Sequence, residues 1–114
     1  MKHTFIYLFV FFLLSCEEGE KNELIYPEEK NFKSIKQITF GGDNAEAYWS
    51  FDDKKIVFQS SNNSWGVNCD QMFLMSNDEF FQSKTPKMIS TGKGRTTCSY
   101  FLPDNKHLIY ASTH

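Results

Sequence analysis

The residues able to do chemistry are few and scattered. "TGKGR", residues 91 to 95, places Lys93 and Arg95 beside two glycines. A G-x-G cradle for phosphate needs a Lys-Ser/Thr pair and a helix start after it, and neither follows, so the stretch reads as a loop whose cations would meet an anionic ligand. Asp43, Asp52, Asp53 and Asp70 lack the D-x-D-x-D-G spacing of a calcium loop, and each stands where a turn needs a capping oxygen. His114 has no second histidine or cysteine at ligand spacing, so no metal site is expected. Trp65, in "SNNSWGVNCD", either packs in or over a loop or offers its flat face to a sugar or peptide. No residue is assigned as catalytic, and no cofactor is expected.

The cysteines carry more information. Lys2 and His3 precede "FIYLFVFFLL", a positive start and an apolar run of about ten residues, too short for a helix to cross a bilayer core of roughly 30 Å. This is the pattern of an export signal. It ends not in small residues but in Leu13-Leu14-Ser15-Cys16, which resembles the lipobox of bacterial lipoproteins. That resemblance implies a diacylglyceryl thioether on Cys16, cleavage before it and acylation of the new amino terminus. Only a thiolate is nucleophilic enough for the step. Each buried methylene contributes about 0.8 kcal/mol, so several acyl chains suffice for stable anchoring. A plain secretory signal with an incidental cysteine is the alternative.

With Cys16 assigned to lipid, Cys69 and Cys98 form an even pair in a chain exported to an oxidising compartment, and a disulfide between them is expected. Two small buried apolar residues, and more remotely a zinc site, are the other readings.

The elements that position these residues follow from the turn signals. After Cys16, "EEGEKNELIYPEEKNFKS" is acidic and lacks apolar periodicity, and reads as a flexible tether. From Ile35 short β-rich runs alternate with "GGDN", "FDDKK", "SSNNS", "TGKG" and "PDNKH", the spacing of an all-β protein. Residues 38 to 60 and 89 to 112 are two copies of one unit. Setting Trp49 on Phe101 pairs Asp52 with Asp104, Lys54 with Lys106, Ile56 with Leu108, Val57 with Ile109, Phe58 with Tyr110 and Ser60 with Ser112. One residue of slippage lies upstream. In each copy an aromatic ends a strand and packs against a neighbour, an Asp caps the turn, and "KIVF" or "HLIY" is the next strand. "CDQMFLMS" (69 to 76) and "KMIS" (87 to 90) supply the third and fourth strands. A period of about fifty built from four short strands is that of a β-propeller blade.

"ITFGGDNAEAYWS", "CDQ", "QMFLM", "PKMIST" and "GKGRTTCSYF", with the order aromatic, x, Pro, Asp, x, Lys around Pro103, resemble the TolB-like (WD-like) propeller repeats of Bacteroidetes lipoproteins. The likeness covers residues 35 to 114. It implies an all-β fold with a signal over 1–15, a lipidated tether over 16–34, and an incomplete propeller over 35–114: one full four-stranded blade plus half of a second. The chain then reads as a fragment of a longer ring. The implied role is a non-catalytic binding or scaffold module of the cell envelope, held by its N-terminal lipid on the periplasmic or surface face of the outer membrane. A protein or peptide is the implied partner, and Trp65, Lys93 and Arg95 are the candidate ligand contacts. The alternative is the propeller part of an exported, peptidase-like hydrolase. A net charge of -2 with no basic patch gives no electrostatic reason to seek nucleic acid.

Overall fold

The computed structural model describes residues 24–82 and 84–114. The signal and Cys16 lie outside the described residues. The chain forms two compact units that divide after Lys36. In the described part of the first, the Glu29 amide closes a turn on the Tyr26 carbonyl at 2.9 Å, and the Asn31 amide donates to Glu29 Oε1. No described helix is long and apolar enough to cross a membrane.

The second unit is built of antiparallel strands. β1 (Asp43–Trp49), β2 (Lys55–Asn62), β3 (Val67–Ser76) and β4 (Lys87–Met88) form one sheet in chain order, and β5 (Thr96–Phe101) and β6 (Leu108–Ser112) form a second. Three residues, Asn63–Trp65, make a 3-10 turn between β2 and β3. The apolar runs "IVF" and "MFLM" are unbroken because β2 and β3 are covered on both faces. On one side Ile56, Phe58, Phe73 and Met75 pack under Ile38, Trp65, Val67 and Phe80. On the other Val57 and Met72 meet Phe101, with Leu74, Ile89, Leu108 and Tyr110 around them. The β5–β6 hairpin thus lies against one face of the four-stranded sheet, and no closed ring of strands is present among the described residues.

The backbone repeats as the sequence does. The shift that sets Trp49 on Phe101 also superposes two strand irregularities, one between Ala45 and Tyr48 and the other between Thr97 and Tyr100. It sets Glu46 (φ 52°) on Cys98 (φ 53°), and Asp53 (φ 56°) on Asn105 (φ 57°), all left-handed. Side chains other than glycine rarely adopt this conformation, so the coincidence is not a product of loose loops. The slippage is also located. Gly41 and Gly42 adjoin, whereas Gly92 and Gly94, both again with positive φ, are separated by Lys93.

The repeat partners differ where their surroundings differ. Phe101 is 3 % exposed on Val57 and Met72, while its counterpart Trp49 is 48 % exposed and meets Phe80 edge-on at 5.7 Å. Both aromatics were expected to pack against a neighbouring layer, and only Phe101 has one beneath it.

Candidate functional site

The loop over residues 90–95 is fastened from within by Gln71. Its carboxamide is 1 % exposed; Nε2 donates to the Gly94 carbonyl at 2.8 Å, and Oε1 accepts from Ser90 Oγ at 2.7 Å and the Gly92 amide at 3.2 Å. Ser90 Oγ in turn accepts from the Met72 amide. A buried amide side chain with all these partners satisfied fixes a loop without exposing a polar orphan. The Lys93 and Arg95 amides are engaged as well, by Thr91 Oγ1 and Thr113 Oγ1. The amides of Gly92, Lys93 and Arg95 therefore already point at protein oxygens. Arg95 Nε lies 3.5 Å from Asp70 Oδ2, and both Arg95 and Lys93 are exposed.

His114 acts as the counterpart of Asn62. Asn62 Nδ2 donates to the Gly41 carbonyl at 3.2 Å, and His114 Nε2 sits 2.8 Å from Thr91 Oγ1. Each thereby ties the end of a second strand to the glycine loop that leads into the first. Ser112 Oγ meets the other ring nitrogen, Nδ1, at 2.6 Å. Both ring nitrogens of His114 are thus engaged by hydroxyls.

The bridge expected between Cys69 and Cys98 is not formed; both are free thiols. Cys69 Sγ lies 3.2 Å from the Gly94 carbonyl, whereas Cys98 is exposed on the β5 bulge with its Sγ 3.3 Å from Thr97 Oγ1. The expectation of a bridge rests on an even cysteine count, which carries no geometry; Cys98 stands exposed at a left-handed bulge. Among the described residues no three His, Cys, Asp or Glu side chains stand together as metal ligands.

Of the aspartates expected at turns, Asp52 caps one, whereas Asp43 opens β1 and Asp70 lies within β3, where its carboxylate faces Arg95. Asp52 Oδ1 accepts from Ser50 Oγ at 2.7 Å, and the bond to that hydroxyl is the main cause holding its carboxyl below the ordinary range. In the second copy Asp104 Oδ1 accepts from the Lys106 and His107 amides and Oδ2 meets the His107 ring. The contact with the ring, then the two amides, holds the Asp104 carboxyl far below the usual value. A carboxylate whose folded pKa is depressed contributes stability above its unfolded pKa of about 3.9, and that contribution is lost as pH falls through the folded pKa. The melting temperature of Asp104→Asn should therefore fall less than that of the unaltered protein as the pH is taken from 5 to 2. Parallel curves over that range would show that the Asp104 contacts add nothing.

Trp65 belongs to a cleft. Asn62 caps the 3-10 turn by accepting from the Ser64 amide, and Gly66 ends it in the left-handed conformation. The indole is half-buried, edge-on to Phe73 at 5.2 Å and to Phe58 at 6.4 Å. It borders an open cavity of about 330 Å³, together with Ile38, Phe40, Met75, Pro86 and the polar Thr39, Ser64, Gln82, Lys84 and Thr85. An apolar floor with a hydrogen-bonding rim suits a small ligand or the side chains of an extended peptide. Lys93 and Arg95 do not line it, so the sequence candidates fall at two separate places. Of the residues lining the cleft, Gln82, Lys84 and Thr85 belong to no motif that sequence reasoning could use. On another surface, the repeat sets Tyr48 beside its counterpart Tyr100, with ring centroids 5.3 Å apart, and Phe51 stands against Tyr100 at 6.3 Å.

No family model matches the chain, and neither a curated protein nor a solved structure matches it.

Proposed function

We propose that this chain is a non-catalytic binding module of the bacterial cell envelope, made of TolB-like propeller repeats and anchored through lipid on Cys16. The observation that carries the reading is the repeated backbone: two hairpins with the same bulge, the same left-handed residues and the same capped turn, one laid against the sheet of the other. Face-to-face packing of repeated antiparallel units is the building rule of propellers, and loops at their ends recruit partners. The open cleft beside Trp65 supports a ligand- or protein-binding role, and the apolar run before Cys16 supports the outer-membrane location, on either its periplasmic or its surface face.

The test joins both parts. In a bacterial host labelled with radioactive palmitate, the unaltered chain should take up label and sediment with membranes, and Cys16→Ser should lose the label and remain uncut. A photo-crosslinking residue at Phe40, on the cleft rim and 67 % exposed, should capture a discrete envelope protein in the anchored chain. An unlabelled wild-type chain in the soluble fraction sinks the anchor, and a smear indistinguishable from that at an unrelated exposed position sinks the binding cleft.

A further inference from the structure

We draw no further inference here: the strongest candidate, the exposed aromatic patch of Tyr48, Phe51 and Tyr100 where β1 and the turn after it meet β5, carries none because nothing in the structure shows what covers it.

Discussion

Replacing Gly42 with alanine is expected to remove about 2 to 5 kcal/mol of stability, from roughly 1–2 kcal/mol for a left-handed side-chain residue and roughly 1–3 kcal/mol for overpacking. At φ 68° the new Cβ would collide with the Ser61 carbonyl oxygen and stand under 3 Å from Asn62 side-chain carbons. The first of these is backbone of β2 and cannot swing aside. Gly66 supplies the control, since it has φ 76° and nothing within 4 Å of a built Cβ. Its alanine variant should show only the conformational part. Gly94 is the repeat counterpart of Gly42, but its nearest neighbour is Thr113 Oγ1 at 2.7 Å, a side-chain atom that can rotate, so Gly94→Ala should fall between the two. Urea midpoints of the three variants check the order. Equal losses at Gly42 and Gly66 would mean that close approach to β2 is not what the first glycine provides.

Phe73→Ala should be the most damaging core truncation, with a loss of about 3 to 5 kcal/mol. Phe73 is 2 % exposed, stacks on Phe58 with ring centroids 6.0 Å apart, and holds the edge of Trp65. Its removal opens a cavity at the centre of one face of the sheet and takes away a ring against which Trp65, on the cleft's border, is packed. Against the 5–15 kcal/mol that domains ordinarily hold, such a loss brings the unfolded state within reach at moderate temperature. Ile109→Ala, at a position 62 % exposed, should change stability by about 0.5 kcal/mol or less. Denaturation followed by far-ultraviolet dichroism and tryptophan emission separates the two. A Phe73→Ala variant that melts like Ile109→Ala would show that the face under Trp65 is not a packed core.

What the sequence disclosed was what periodicity and turn chemistry can encode. The runs "KIVF" and "CDQMFLM" become β2 and β3 because strands covered on both faces need unbroken apolar stretches, and Asp52 and Asp104 cap turns as their place before lysine requires. The bulges were not legible. Glu46 and Cys98 adopt a conformation that sequence rules reserve for glycine and asparagine, and the neighbouring strand rather than the residue type holds them there. The same conformation separates Cys98 from the role that counting cysteines gave it. Gln71 was visible only as one letter of "CDQ"; its importance comes from burial beside a loop more than twenty residues distant. Trp65 borders the cleft, but Ile38, Phe40 and Pro86 reach it from far along the chain, and no local pattern records such a meeting.

Lys93, inserted between Gly92 and Gly94 where the first copy has Gly41 and Gly42 side by side, changes length without disturbing the strands on either side. The two left-handed glycines act as a buffer, absorbing one residue before the chain is again in phase at the bulge. A profile drawn from these two copies should therefore permit a gap at this point and forbid one between Glu46 and Asp53. Aligned in that way, distant members of the repeat would come into register even where their turn letters have diverged.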